Sequence, residues 1–591
     1  MKLKLIMLLL IICSTVWGQE LSNVGKSPLL KVDGGIALNQ DWHWSDLPGS
    51  YRQPYAYTLV ANLNLSIYGW SIPLSGMFSN KHWSYQQPFN QFSINPSYKW
   101  IHLYMGYNSM TFSNYTLNGH RFFGGGIELT PSSKWKISAM AGRMQERVLP
   151  DSAGYVVPAF YRIGSGLRTE YSFTGGNIAL STFYAKDDAH SLAGYDSLPV
   201  TPAENLAIAV SSTFTVLTNF KANIEYSTSL FTEDIQSPIN EGQYKAMPLY
   251  TRKTSTHQYN ALKSNFNYNS PLGSIGVGYE RVEPGFRTLG AYTTVNDFEN
   301  YTLNYAGQIV PEKVSVATSL GLQRDDLANT KAQDNKRWVG SLSVGFTPVK
   351  AINASLMYGN FRNYTHVRNG FENINNTNPY PVTDTLDYTQ ISETMGANVS
   401  ITPTANEKTR RSIIMSLNYQ QASEQQSDNL NQSKNRFVNG MFGYNHSMIK
   451  QKLNLSTSVS LNRNKADSIT TVTIGPMVSA RKVFFDKKMN TSLSAAYNRS
   501  LMNSHAQSEV YIFRGGIGYT LKEKHAFDFN AIYAKRHRFV NPTQTNDITL
   551  TLTYRYNFKG KQFDLKKKPA KTEDNNSIET EKPGSSEEPK P

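Results

Sequence analysis

Apolar and polar residues alternate with a period of two over most of this sequence. In the segment 57–67 the odd-numbered residues are aromatic or aliphatic, and the segments 220–226 and 453–462 alternate in the same way. Because successive side chains of a β-strand point to opposite faces, this pattern predicts strands with one apolar face and one polar face. A single segment of this kind is typical of a half-buried strand in a soluble sandwich. Its repetition, with Asn, Ser and Thr prominent on the polar face, favours a sheet that encloses a crowded or water-filled interior.

The composition argues against helical and disordered alternatives. Of the 591 residues, 12% are aromatic, with 35 Tyr, and only 17% are charged. A disordered chain has few aromatic residues and little apolar periodicity, and a helical bundle has a different period. After residue 18 there is no run of eighteen apolar residues, so we expect no transmembrane helix. A membrane-spanning barrel is compatible with the same data.

Residues 1–18 have the features of a secretory signal peptide: two lysines, an apolar run over 5–12 and small residues at the cleavage position. A retained membrane anchor is an alternative, but the apolar run is too short to span a bilayer. Lipidation of Cys13 is a second alternative, and the large Ile12 that precedes it argues against this. We expect a secreted mature chain without cysteine, which must gain its stability from something other than disulfides. A closed sheet is one such source.

The number and spacing of the alternating segments predict the topology. We count about 26 strands (roughly 24–28) between residues 29 and 558. Short connections, such as 131–134 and 270–273, alternate with longer ones, such as 81–90. Outer-membrane barrels have this asymmetry, with short periplasmic turns and long extracellular loops. The sequence therefore predicts an all-β fold: a single large antiparallel transmembrane β-barrel with both termini in the periplasm.

Aromatic residues stand near the predicted short turns, notably Trp70, Trp135 and the run Tyr98–Trp100. Tyrosine and tryptophan are stable where one part of the ring is apolar and the other is wet, as at a membrane interface. These positions predict an aromatic girdle. The alternative is that they are ordinary strand aromatics.

The last predicted strand, 547–558, has the cleanest alternation in the chain and contains Tyr554, Tyr556 and Phe558 near its end. It resembles the closing strand of Gram-negative outer-membrane β-barrel proteins, an assembly signal that the barrel assembly machinery recognises. The resemblance extends by pattern over residues 29–558. It implies an outer-membrane location, contact with outer-membrane lipids and assembly by that machinery. The sequence departs from the family in one respect, because thirty-three residues follow Phe558 and leave the signal internal.

A narrower resemblance covers residues 70–130, on motifs that include Ser84–Phe92 and Tyr115–His120. This region resembles a set of large, uncharacterised, porin-like outer-membrane barrels. The resemblance supports the barrel and implies no particular function.

These features divide the chain into four parts: a signal peptide at 1–18, a short periplasmic segment at 19–28, the barrel at 29–558 and a tail at 559–591. The tail has eight Lys against seven Asp and Glu, with almost no large apolar residue. Such a composition cannot bury enough surface to fold, so we predict a disordered periplasmic tail. It is either an inert extension or a tether to a periplasmic protein or to the cell wall.

The chain has no motif that carries catalysis or cofactor binding. Gly124–Gly126 precede a strand-like segment, not the helix that a phosphate cradle requires. Histidines are scattered, and we expect His82, His120 and His505 to be solvated in or near extracellular loops, so no metal site or cofactor is predicted. There is no GxSxG elbow, and we predict no enzymatic activity. The net charge of +15 comes from dispersed residues, which favours membrane-flanking lysines over nucleic-acid binding. An interior lined by Arg and Lys would favour anions.

Four Asp-Ser/Thr-apolar triplets resemble an O-glycosylation acceptor pattern of some Gram-negative secreted proteins. All lie in connections that are predicted to be extracellular, and chance alone would supply a couple of them. The candidate acceptors are Ser152, Ser197, Thr385 and Ser468.

Three functions fit these features. The first is a porin-like channel or transport barrel without an N-terminal plug, because few residues separate the predicted cleavage site from the first strand. The second is a structural barrel subunit of an outer-membrane assembly, secretion or surface-anchoring complex, with another outer-membrane or periplasmic protein in or beside its lumen. The third is surface binding through long loops. An open lumen of this width would leak, so we expect the loops at 235–261 and 367–386, or another chain, to fill it.

Overall fold

The computed structural model describes residues 30–46, 53–67, 69–80, 90–150, 157–192, 200–240, 250–328, 336–360, 390–424, 434–466 and 468–563. Regular structure in these ranges is β-strand, apart from one turn of 3-10 helix at Ala189–Ser191. Within the same ranges no helix is long and apolar enough to span a bilayer.

The strand segments are listed here in chain order. The first fourteen are β1 (Leu30–Ser45), β2 (Tyr55–Ile67), β3 (Trp70–Ser79), β4 (Gln91–Ile94), β5 (Ser97–Tyr98), β6 (Ile101–Thr111), β7 (Asn118–Ser132), β8 (Trp135–Gln145), β9 (Tyr161–Phe173), β10 (Gly176–Asp188), β11 (Glu204–Val216), β12 (Phe220–Thr232), β13 (Thr256–Ser270) and β14 (Gly273–Val282). The remainder are β15 (Phe298–Val310), β16 (Val314–Asp325), β17 (Lys336–Val349), β18 (Ile352–Gly359), β19 (Gln390–Ala405), β20 (Thr409–Glu424), β21 (Lys434–Met448), β22 (Leu453–Ala466), β23 (Ile469–Phe484), β24 (Met489–Met502), β25 (His505–Leu521), β26 (His525–Arg538) and β27 (Thr543–Phe563).

The sheet closes on itself. Consecutive strands pair antiparallel, apart from β4 and β5, and β27 pairs with β1 from Leu30 opposite Phe563 to Ser45 opposite Asp547. The short β4 and β5 both lie between β3 and β6 and together make one crossing. The predicted fold is therefore confirmed as one closed antiparallel barrel of 26 strands. The strand β27 continues past the predicted boundary at residue 558, and both described chain ends lie at the same end of the barrel.

The connections differ between the two ends of the barrel. At one end, which we call the short-turn end, strands join through tight turns such as 133–134, 174–175 and 350–351. The other end, the long-loop end, carries the connections 112–117 and 283–297. This asymmetry is the one predicted from the sequence, although the C-terminal strands have short connections at both ends.

The two faces of the wall differ in chemistry, as the alternation predicts. In β27, Ile548, Leu550 and Leu552 share one face with Tyr533, Ala531 and Phe529 of β26. On this face large apolar side chains are exposed over the whole sheet; Leu303 and Leu493 are 53% and 68% exposed. The opposite face carries rows of Ser, Thr and Asn, such as Ser456 beside Ser479 and Asn462 beside Thr473. A continuous exposed apolar belt around a closed sheet is a lipid-facing surface, so the polar face lines the lumen.

Aromatic rings stand on the outward face near the short-turn end. Trp70 stacks on Tyr98 with ring centroids 5.1 Å apart, and Trp135 lies 4.8 Å from Tyr171. The positions fit the predicted girdle, because each ring stands where the apolar belt ends.

Candidate functional site in the barrel lumen

Two connections at the long-loop end fold back against the inner wall. They are residues 112–117, the β6–β7 loop, and residues 283–297, the β14–β15 loop. The β6–β7 loop buries Phe112 and Leu117, which are 3% and 0% exposed. Full burial of such side chains stabilises a structure by about 1.5–3 kcal/mol each, which is enough to hold a short loop in place.

The wall beneath the β6–β7 loop is unusual for a polar lumen because it is apolar. Its buried inward-facing residues are Met110, Phe122, Met140, Met144 and Phe183. Gly166 of β9 makes the space for the loop, because a Cβ at this position would lie 2.7 Å from a ring carbon of Phe112. The wall and the loop are therefore complementary in shape.

The β14–β15 loop inserts Phe286, which is fully buried. Its ring packs edge-on against Tyr115 of the β6–β7 loop, with centroids 5.7 Å apart and an interplanar angle of 82°. Val282 and Phe298, at the ends of the flanking strands, complete the same cluster. Edge-to-face pairs of this kind contribute about 0.5–1.5 kcal/mol beyond the area that they bury.

Hydrogen bonds join the two loops. The Thr288 hydroxyl donates to the Thr116 carbonyl at 2.9 Å, and the Asn118 amide donates to the Gly290 carbonyl at 2.8 Å. The strands β7–β14 separate these loops along the wall, so contact between them is possible only across the concave side of the barrel. Together the loops form a constriction inside the lumen, which we call the loop plug.

The wall also fixes the backbone of the loop plug. Arg168 of β9 donates to the Phe112 carbonyl, and the Ser229 hydroxyl of β12 donates to the Arg287 carbonyl at 2.7 Å. Asn205 of β11 is fully buried; its side-chain oxygen accepts from the Leu289 amide at 3.1 Å. Buried backbone groups that leave a sheet must find partners elsewhere, and these side chains supply them.

Charged groups line the lumen beside the loop plug. The Tyr115 hydroxyl donates to Glu280 at 2.6 Å, and Lys263 forms an ion pair with the same carboxylate at 3.1 Å. Burial, followed by the negative charge of Glu280, raises the pKa of Tyr115 far above its usual value. Tyr115 therefore stays a hydrogen-bond donor at every physiological pH.

The lumen wall formed by β7, β8 and β9 carries both signs of charge. Lys136 pairs with Glu128 at 3.0 Å, and Arg168 pairs with Glu170 at 2.8 Å. Carboxylates on the same wall neutralise these basic side chains, and the anion preference expected of an interior lined by Arg and Lys stays a prediction. The arrangement gives a polar surface without a dominant sign.

A closed barrel of 26 strands with an apolar exterior, a polar lumen and asymmetric ends is a large transmembrane β-barrel. This architecture is that of the large Gram-negative outer-membrane β-barrels. No family model and no curated protein matches the chain. Among solved structures, it is similar to the P pilus usher (PapC) translocation pore, with 9% identity, coverage of 90% of this chain and 100% of that chain, and a TM-score of 0.34. The copper transporter OprC is 9% identical, with coverage of 89% of this chain and 80% of that chain and a TM-score of 0.36. OccAB3 of Acinetobacter baumannii is 10% identical, with coverage of 65% of this chain and 99% of that chain and a TM-score of 0.27. At such identities and TM-scores these likenesses carry no argument about function.

The described part of the loop predicted at 235–261 does not fill the lumen. Tyr250 packs on Leu206 and Leu230, whose side chains are on the lipid-facing side of β11 and β12. Burial raises the pKa of Tyr250 to about 12, and its hydroxyl lies 2.6 Å from that of Thr232. This segment therefore covers the outer rim, and the loop plug occupies the lumen instead. The loop predicted at 367–386 lies outside the described residues.

The predicted assembly signal lies at the barrel seam. Tyr554 and Tyr556 face outward and pair with Leu38 and Ile36 of β1, and the Tyr554 hydroxyl contacts His525 at 2.8 Å. Phe558 pairs with Gly34 through its backbone. These three residues thus stand on the strand that closes the barrel, and their role as an assembly signal stays a prediction.

One histidine differs from its prediction. His120 is 6% exposed and stacks on Tyr292 of the β14–β15 loop at 4.2 Å, so the expectation that it is solvated is wrong. The neighbouring loop covers it, which a local reading of β7 does not reveal. His505 is exposed as expected, and His82 lies outside the described residues. Among the residues that the structure describes, no group of three His, Cys, Asp or Glu is placed to hold a metal ion.

Of the four glycosylation candidates, Ser468 is described. It is exposed in the tight connection between β22 and β23 at the long-loop end. Ser152, Ser197 and Thr385 lie outside the described residues. Acceptor function at all four stays a prediction.

Proposed function

We propose that this chain is a porin-like transport barrel whose passage is narrowed by its own loop plug and not by an N-terminal plug domain. The observation that carries the proposal is the contact between the β6–β7 and β14–β15 loops across the lumen. Loops that bridge a barrel interior reduce its cross-section and set what can pass. The polar wall and its paired charges suit hydrophilic solutes without a strong preference for either sign.

The same proposal includes an orientation. The long-loop end faces the outside and the short-turn end, with both chain termini, faces the periplasm, as in outer-membrane barrels generally. The barrel assembly machinery would act on the seam strand β27. The apolar exterior supports residence among membrane lipids.

Removal of one loop tests the transport function. Val282 and Phe298 pair directly, so residues 284–296 can be replaced by Asn-Gly, a dipeptide that favours a tight hairpin turn. We expect the purified variant to show a larger single-channel conductance in planar bilayers than the full chain. The control places Asn-Gly at positions 540–541, in the β26–β27 connection, and should leave conductance unchanged. Equal conductance of all three proteins, or no conductance from any of them, contradicts the proposal.

A second function, a structural subunit of a membrane complex, is favoured by one feature of the exterior. A concavity of about 1260 Å³ runs over the lipid-facing side of β20–β27. Leu455, Ala480, Leu493, Gly515 and Ala531, which are paired in one row across the strands, line it. A recessed apolar wall is a surface on which another membrane-embedded protein can pack.

Photo-crosslinking in cells tests this second function. A crosslinking amino acid at Leu493 should give one discrete protein adduct, whereas the same group at Val277, outward on the other side of the barrel, should give none. Adducts from both positions, or from neither, count against a dedicated partner surface.

A further inference from the structure

Three basic residues cluster on the outer face at the long-loop end of β21 and β22. Arg436 lies directly opposite Lys465, and Arg463 is the next outward residue of β22. All three side chains are exposed. Like charges directly opposite each other destabilise a sheet, so this arrangement is unfavourable unless an anion lies between them.

Three other outward-facing basic residues at this end have carboxylate partners. Arg143 of β8 pairs with Glu146 at 3.5 Å. The remaining pairs are Arg281 with Glu299 at 3.7 Å and Arg499 with Glu509 at 3.8 Å. Within the part of the chain that the structure describes, the three residues of the cluster have no such carboxylate. The cluster therefore differs from these three arginines in lacking a counter-charge.

A neighbouring hydrogen bond orients the cluster. The Arg436 Nε donates to the side-chain oxygen of Gln421 at 2.9 Å, and that oxygen also accepts from the Tyr419 hydroxyl at 2.9 Å. The bond holds the guanidinium by one edge and leaves its two terminal nitrogens available. A guanidinium presented in this way matches the geometry of a phosphate group.

The residues beside the cluster indicate its depth in the membrane. Towards the middle of the barrel, the next outward positions are Val438, Leu461 and Phe442, of which Leu461 and Phe442 are more than two-fifths exposed. These side chains meet lipid hydrocarbon, so the cations just beyond them stand at the level of lipid headgroups.

We propose that Arg436, Arg463 and Lys465 form a binding site for the phosphate groups of a glycolipid in the membrane leaflet at the long-loop end. Each phosphate monoester carries about −1.5 to −2 charges, so two of them balance the three cations. A bisphosphorylated glycolipid of the lipid A type has this chemistry, with acyl chains that lie along the apolar wall below. The site is independent of the lumen and of any solute that passes through it.

Titration of the purified, folded full chain with bisphosphorylated lipid A, followed by native mass spectrometry, tests the site. Each cation near an anionic lipid contributes about a fivefold factor in affinity. We therefore expect Arg436→Gln/Arg463→Gln/Lys465→Gln to weaken the tightest lipid binding by about a hundredfold. The control is Arg143→Gln/Arg281→Gln/Arg499→Gln, which removes the same number of charges from the same rim and should change affinity by less than about threefold.

The ligand series separates the sources of phosphate. Dephosphorylated lipid A, phosphatidylglycerol and inorganic phosphate should all bind the full chain at least about tenfold more weakly than bisphosphorylated lipid A. Equal binding of any one of them, or equal weakening in the control variant, overturns the proposal. Heat-modified gel mobility reports folding of each variant. If the triple variant does not fold, Arg463→Gln alone should still lose about fivefold in affinity, and an unchanged affinity of that single variant overturns the proposal as well. Conductance is not a readout here, so failure of this site and failure of the transport function are distinguishable.

Discussion

Replacement of Phe286 by Ala should open the loop plug without unfolding the barrel. Phe286 is fully buried between Tyr115 and the ends of β14 and β15. Truncation of a buried Phe to Ala costs about 3–5 kcal/mol. The barrel wall keeps its strand pairing, so this free energy is lost from docking of the loops. At about 1.4 kcal/mol per factor of ten, the balance between docked and undocked loops shifts by at least a hundredfold.

Single-channel recording in planar bilayers measures this shift directly. Phe286→Ala should give a larger mean conductance and frequent transitions between two levels. A thiol probe gives a second readout: in a Thr288→Cys background, where position 288 is 5% exposed in the parent, Phe286→Ala should speed labelling by a water-soluble reagent. The matched control is Phe442→Ala, the same truncation at an outward position of β21 that is 49% exposed. Unchanged conductance and labelling in Phe286→Ala, or equal changes in Phe442→Ala, would refute the role of the loop plug.

Three further predictions concern the same site. Gly166→Ala should destabilise the docked loop by about 1–3 kcal/mol and raise conductance, because the new Cβ would lie 2.7 Å from the Phe112 ring; Gly440→Ala, whose Cβ would lie 3.9 Å from Leu417, is the control. Tyr115→Phe should cost about 1–3 kcal/mol of docking free energy, because Glu280 loses a buried donor, and conductance should rise with the barrel still folded on heat-modified gels. The raised pKa of Tyr115 predicts that docking of the loops is fully stable below about pH 10, the pKa of a free tyrosine. Docking should weaken as the pH rises towards the higher pKa of the folded protein. Conductance recordings between pH 7 and pH 9 should therefore agree, and a rise in conductance within that window would contradict the assignment.

The barrel wall could be predicted from the sequence because its determinants are local. In β2 and β22 each side chain's face follows from its position in a two-residue period, and the observed register agrees with that assignment. Strand number and closure follow from counting, since each crossing has nearly the same length. The asymmetry of the connections was visible for the same reason.

The loop plug could not be predicted because its determinants are distant in sequence. Phe112 follows Asn108 and Met110, the inward-facing residues of β6, at the same two-residue spacing. From the sequence it therefore resembles one more residue of the strand. Its partner Phe286 stands far along the chain in a connection that was not assigned to the lumen. The prediction for His120 is wrong for the same reason, since the ring that covers it belongs to that second loop.

A signal for the loop plug was nevertheless present in the inward-facing positions. In β22 these positions are Ser and Asn, as a wet lumen requires. In β8 and β9 the inward positions include Met140, Met144, Gly164 and Gly166, a mixture of large apolar side chains and glycine that water would not stabilise. Apolar residues on the lumen-facing side of a barrel strand imply that an apolar segment covers them. Glycine among these residues implies that the covering segment approaches the strand closely. The change in inward composition along the chain thus indicates on which side of the lumen the covering loops lie, even where it does not identify the loops themselves.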